Sequence, residues 1–175
     1  MTNYQAFTAK ADGRMNQLVT QCGVSEPYDP KISSGSHPPV SNYEAIWDTG
    51  ATGTVITQKV VDELGLVPTG KTTSRHAGGS DEVNTYLVNI YLPNGIAVQG
   101  VRVITAVLTG KCEMLIGMDI ISLGDLSVTN FNGKTCFTFR IPSIKEVDFV
   151  DEQNKKPKAN WLKASRGYKG GRKKR

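Results

Sequence analysis

"IWDTGATGTVIT", residues 46–57, is the stretch from which the rest of the chain is best read. An apolar pair, Ile46 and Trp47, delivers a single carboxylate, Asp48, into a turn of small residues that includes Gly50 and Gly53. After the turn, Val55, Ile56 and Thr57 resume the β-branched composition of a strand. A carboxylate at the end of an apolar strand is costly to ionise unless donors or a second acid share the charge. Nothing resembling this stretch recurs in the sequence, so a partner for Asp48 has to be sought outside the motif.

The bulk composition narrows the setting. At 175 residues with 38% apolar side chains, the chain suits one domain with extensions rather than two full domains. Eighteen glycines, few aromatics and many Val, Ile and Thr favour short strands and tight turns. No apolar run approaches the roughly 20 residues of a membrane helix, and the first residues lack the apolar core of a signal peptide. No membrane partner is expected. Cys22, Cys112 and Cys136 are odd in number and lack C-x-x-C spacing, which indicates neither a disulfide frame nor a zinc site. A cytoplasmic location, with no metal or organic cofactor, is the expectation.

Net charge is +5, but it is divided unevenly. Residues 153–175 hold 10 of the 21 Lys and Arg and no acid, so residues 1–152 set 11 bases against all 16 acids. An acidic body carries a basic tail. Such a tail reads as a solvated, disordered extension, with nucleic acid as its candidate partner through residues 153–175 and through the interleaved Trp161 and Tyr168.

Along the chain, residues 1–13 are polar and aperiodic and read as a flexible segment. One strand is expected within 14–25, a Pro-, Ser- and Gly-rich loop follows, and 40–47 forms a second arm running into Asp48. A strand at 54–57 and one or two helical turns over 58–64, ended by Gly65, come next. Two polar-apolar arms surround Ala77-Gly78-Gly79-Ser80, a strong hairpin signal. Strand-rich sequence follows the Asn94-Gly95 turn, "EMLIGMDII" ends a strand at Gly117 before a short helix, and Asn132-Gly133 separates two last strands. The expected body spans 14–142, a mainly antiparallel β barrel with little helix, and 143–175 is the basic tail.

Three elements then combine: the Asp48-Thr49-Gly50-Ala51 loop, the glycine-tipped hairpin "HAGGS", and "LIGMD" before a helix, with Asp119 71 residues beyond Asp48. Together they resemble the retroviral-type aspartic proteases, the retropepsins, and within them the stand-alone cellular and bacterial members. The resemblance covers roughly 40–141. It implies a closed retropepsin-like barrel, one lobe per subunit with one short C-terminal helix, and an aspartic endopeptidase acting on peptide or protein substrates. It implies a homodimer in which each subunit contributes the catalytic Asp48. Thr49, Gly50 and Ala51, with Leu115, Ile116 and Gly117 behind them, would support the active-site loop. Ala77, Gly78, Gly79 and Ser80 would form a flap over the substrate. Trp47 is bulkier than the residue usual in the family before the acid, and Met118 stands where viral relatives often carry Arg.

Other readings were weighed against these. Asp119 is read as the N-cap of the helix after Gly117. Trp47 is read as core or as a wall of the substrate pocket. His76 and Cys112 evoke a thiol protease, but no orienting Asn or Asp accompanies them. A catalytically silent peptide-binding dimer, and a protein acting on nucleic acid through its tail, are the alternatives to the enzyme.

Overall fold

The computed structural model describes residues 4–76 and 78–155. It divides into two units, residues 1–144 and 145–175. Among the described residues, the first unit contains ten strands. β2 (Val19–Ser25) and β3 (Ser41–Trp47) form the wide hairpin expected around the Pro-rich loop. β4 (Val55–Ile56) leads into helix α1 (Gln58–Leu64), which stops at Gly65. Gly65 has φ +63°, and the left-handed conformation lets its amide cap the helix carbonyls. β5 (Gly70–His76) and β6 (Gly79–Leu92) form the glycine-tipped hairpin, and β7 (Ile96–Thr105) returns along β6. β8 (Met114–Ile116) precedes the four-residue helix α2 (Met118–Ile121). β9 (Asp125–Thr129) and β10 (Cys136–Ile141) flank the Asn132-Gly133 turn.

The strand order β2-β3-β8-β4-β7-β6 is closed by pairing of β2 with β6, so six strands make a barrel that leaves no edge among them. β5 continues the sheet beyond β6 as the outer half of a hairpin. The barrel is mainly antiparallel, but β3 pairs parallel with β8 and β4 parallel with β7. The β3–β8 pairing brings the strand ending at Trp47 beside the strand ending at Ile116, register Trp47 to Ile116. The two glycine-rich turns that follow are therefore neighbours, although 69 residues separate Asp48 from Gly117. A bulge at Asn89 bends β6, and its buried carboxamide accepts from Gly100 N (2.9 Å) and donates to the Tyr28 carbonyl (2.7 Å).

A second sheet, β1-β10-β9, adds the strand β1 (Gln5–Lys10). This corrects the reading of residues 1–13 as a loose segment. Phe7 explains the difference: one aromatic residue inserts into a cluster with Trp47, Phe137 and Phe139, centroids 5.5–6.2 Å away. Its burial, with six paired residues along β10, stabilises a strand whose polar composition hides it. The core runs from this cluster through Ile56, Val88, Ile90, Val103, Met114 and Ile116.

In the second unit, Phe149–Lys155 forms helix α3, where the basic-tail reading expected no element. Asp148 accepts from the amides of Val150 (2.8 Å) and Asp151 (3.0 Å) and starts it as an N-cap does. The rest of the basic tail lies outside the described residues.

Candidate active site

β3 ends in Trp47, and the next residue is the site. The Trp47 indole is 5% exposed, packs on Phe7, Phe137 and Phe139, and donates to Thr20 Oγ1 at 2.9 Å. It is core, which decides between the two readings of this bulky residue. With its ring held on one side, the chain exits through Asp48 N, which donates to the Ile116 carbonyl at 3.0 Å. The half-buried Asp48 carboxylate accepts from the Gly50 amide through Oδ1 at 2.8 Å. Gly50 allows this: a Cβ there would stand only 3.2 Å from the same oxygen. Ala51 N donates to the Asp48 carbonyl at 3.3 Å and closes the turn, while Thr49 and Gly50 stand exposed.

Behind the loop, β8 and α2 hold it from below. Met118 N donates to the Ala51 carbonyl (2.8 Å) and Asp119 N to the Thr52 carbonyl (3.2 Å). Gly117 N donates to Thr54 Oγ1 at 3.2 Å. Gly117 lies so near the loop that an added Cβ would meet the Gly53 carbonyl carbon at 2.5 Å and its oxygen at 2.6 Å. Leu115, Ile116 and Gly117 thus lie beside the Asp48 loop.

Asp119 departs from its expected role. Gly117 occupies the N-cap position of α2, with no side-chain cap. The Asp119 carboxylate reaches across to Thr54, accepting its amide on Oδ2 (2.9 Å) and its hydroxyl on Oδ1 (2.8 Å), and also accepts Ile120 N at 3.0 Å. The reason is geometric: the antiparallel β4–β8 pair puts the 1%-exposed Thr54 opposite the helix start, where two donors need an acceptor. Asp119 and Thr54 are the site residues that sequence reading missed. The signal available was an acid two residues after a glycine that must pack against another turn.

The β5–β6 hairpin sets His76 opposite Gly79 in register. Gly78, Gly79 and Ser80 are exposed at its tip, and Gly79 has φ +136°, which favours glycine. Ala77, assigned to the same tip, lies outside the described residues. Between this hairpin and the barrel opens a groove of 920 Å³. Val55, Val83, Ala106, Val107 and Leu115 form its apolar lining, and Lys59, Arg75 and Asp81 supply charge. At the α1 end, Glu113 accepts from the Thr57 hydroxyl (2.5 Å) and pairs with Lys59 (3.1 Å). The Thr57 hydroxyl first, then Lys59, hold the Glu113 carboxyl below its ordinary value. Burial, and then the Glu63 carboxylate that accepts its hydroxyl at 2.9 Å, push the Tyr43 phenol up to about 12. Cys22 is 1% exposed and burial pushes its thiol up to about 11, the behaviour of an apolar filler rather than a nucleophile. No group of three or more potential metal ligands occurs among the described residues.

A closed barrel, an Asp-Thr-Gly turn at the end of an inner strand, a glycine turn packed beneath it and a hairpin above a groove define an aspartic-protease-like molecule. The sequence agrees: residues 40–123 match the family described as "gag-polyprotein putative aspartyl protease", and the closed barrel is a retropepsin-like fold. No curated protein matches the chain. Among solved structures, it is similar to a retropepsin-like aspartic protease from Rickettsia conorii, at 13% identity and TM-score 0.47 over 81% of this chain and 98% of that one. It is similar to the retroviral protease-like domain of Ddi1 from Leishmania major, at 15% identity and TM-score 0.44 over 77% and 99%. It is also similar to the EIAV protease in complex with the inhibitor HBY-793, at 19% identity and TM-score 0.44 over 61% and 86%.

Proposed function

We propose that this protein is an aspartic endopeptidase that works as a homodimer, each subunit contributing Asp48 to one water-activating pair. The observation that carries the reading is the state of the acids around the loop. Asp48 sits half-exposed at the end of β3 with Gly50 N on one oxygen, while Asp119 has both oxygens on Thr54. One subunit therefore supplies one reactive carboxylate. A two-fold interface supplies the second, because an isologous contact presents each Asp48 loop to its own copy. Two such carboxylates share a proton: the ionised member takes a proton from water as it attacks, and the protonated one donates to the carbonyl oxygen. Exposed Thr49 and Gly50 belong to the surface such a contact would cover.

The groove suits an extended peptide. Backbone amides and carbonyls at the hairpin tip can pair with a substrate strand, and the apolar lining takes alternate side chains. Closing the tip excludes water from the pair.

The test is Asp48→Asn, incubated with a diverse peptide library beside the wild type. The variant retains the fold and the dimer, as read by circular dichroism and sedimentation, and loses hydrolysis by about 10³-fold or more. Hydrolysis by a strictly monomeric preparation, or undiminished turnover by Asp48→Asn, would sink the proposal.

A further inference from the structure

We propose that Arg75 makes the groove selective for peptides that set an acidic side chain, Glu or Asp, among apolar ones, its guanidinium taking the substrate carboxylate. The inference rests on the groove being the peptide site of the proposed endopeptidase and adds a substrate class to it.

The charges of the groove single out one residue. Lys59, Arg75 and Asp81 are the charged side chains of its lining. Lys59 is held by Glu113 at 3.1 Å. Asp81 has an interaction partner of its own. Glu82, the other acid of β6, is committed to Lys71 at 2.7 Å. The exposed Arg75 guanidinium is left with no hydrogen bond or ion pair among the described residues.

Strand register explains why. Arg75 stands opposite the neutral Ser80, while Asp81 and Glu82 stand opposite Ser74 and Thr73. Directly opposed residues are the pairs a hairpin stabilises, and this register gives Arg75 no acid across the ribbon. The cation therefore remains available to a ligand.

Its surroundings suit a carboxylate that arrives on a peptide. Val55, Val83, Val107 and Leu115 give the groove an apolar lining, and Val107 is 96% exposed. Sites of this kind draw area from apolar walls and orientation from a few polar groups. An apolar wall also strengthens a charge pair by thinning the water around it. The planar guanidinium fork meets a carboxylate through two parallel N–H···O bonds, a geometry no neutral side chain reproduces. In a peptide bound as an added strand, successive side chains point to opposite sides. An acid reaching Arg75 on the hairpin thus leaves its sequence neighbours to Val55, Val107 and Leu115 on the barrel wall. A Lys at the same place would meet like charge.

The experiment uses the purified full chain and end-blocked peptides that share an apolar core and carry Glu, Gln or Lys at each position in turn. At one position kcat/KM should fall in the order Glu, Gln, Lys, with Glu at least about fivefold above Gln at low salt and the ratio shrinking as salt rises. Arg75→Gln should bring the Glu-to-Gln ratio to about one. Arg75→Glu should turn the preference towards Lys, and Lys59→Gln should keep it on Glu. The same peptides are also titrated against Asp48→Asn by fluorescence anisotropy. Their affinities should follow the same order, and lose it when Arg75→Gln is added. Equal treatment of the three peptides at every position, or a Glu preference that survives Arg75→Gln, would overturn this inference and leave the endopeptidase reading standing. A Glu preference in binding without any hydrolysis by the wild type would overturn the endopeptidase reading alone. Neither binding nor hydrolysis would overturn both.

Discussion

The Asp48 turn, the floor of the candidate site, and the β5–β6 hairpin, its roof, are built on opposite principles. In the floor, the 48–54 turn is bonded to β8 and α2 through Asp48 N, Met118 N, Asp119 N, Gly117 N and the Asp119 carboxylate, and Gly53 and Gly117 touch. In the roof, residues 79–84 of β6 pair only with β5, because β7 does not join the ladder until Thr85. The floor is held from two directions, by β8 and by α2; the roof is a two-stranded ribbon with exposed residues at its tip. Two-stranded ribbons are marginal alone, so local opening of the roof costs little while the Asp48 turn stays fixed. A hydrolase gains from that asymmetry. Its charged group needs a constant position, and its substrate needs a way in.

Four measurements would break or sharpen the contrast. Phe7→Ala strikes the floor from behind by removing the aromatic contact of Trp47, and should cost about 3–5 kcal/mol in the denaturant-unfolding free energy. It should also lower kcat, since Trp47 directly precedes Asp48. Asp119→Ala leaves the Thr54 amide and hydroxyl without their acceptor and should cost about 1–2 kcal/mol, with a fall in kcat larger than any change in KM. A fall in KM-linked binding alone would show that Asp119 does not position the loop.

The third measurement uses pH. Ser143, the Ile144 amide and Arg140, in that order, hold the Asp125 carboxyl well below the usual carboxylate range. A depressed folded value stabilises the fold above the unfolded value of about 3.9, and that contribution is lost as pH falls towards the folded value. Asp125→Asn should therefore lower Tm at pH 7, with the gap to wild type closing in acid; a gap that widens in acid would refute the assignment. The smallest effect belongs to the roof. Lys71 and Glu82 pair at 2.7 Å with both side chains about two-thirds exposed, and Lys71→Ala should leave Tm essentially unchanged. A loss comparable to that of Asp119→Ala would mean the roof is braced as firmly as the floor.

Much of this was legible in the residues. The Asp48 turn, the 58–64 helix with its Gly65 stop, the hairpin around Gly78-Gly79 and the Asn132-Gly133 turn each carry their own local signal: a composition, a period or a glycine where only glycine is unstrained. Local signals reach as far as local physics does. The β1 strand was missed because Phe7 is one apolar residue among polar neighbours, and its meaning depends on Trp47, Phe137 and Phe139, all distant in sequence. The role of Asp119 was misread for the same reason, since an acid before a helix looks like a cap until Thr54 is seen opposite it.

The sequence by itself determined that a lone carboxylate would sit in a glycine-bearing turn at the end of a β-strand, with a second glycine turn and a hairpin to serve it, because backbone preference and hydrophobic period act between near neighbours. Only the tertiary structure decided that the barrel closes through β2 and β6, that the antiparallel β4–β8 pairing brings Gly53 against Gly117, and that Asp119 serves Thr54. Those outcomes follow from packing and hydrogen-bond satisfaction between segments 60 or more residues apart, which no local pattern encodes.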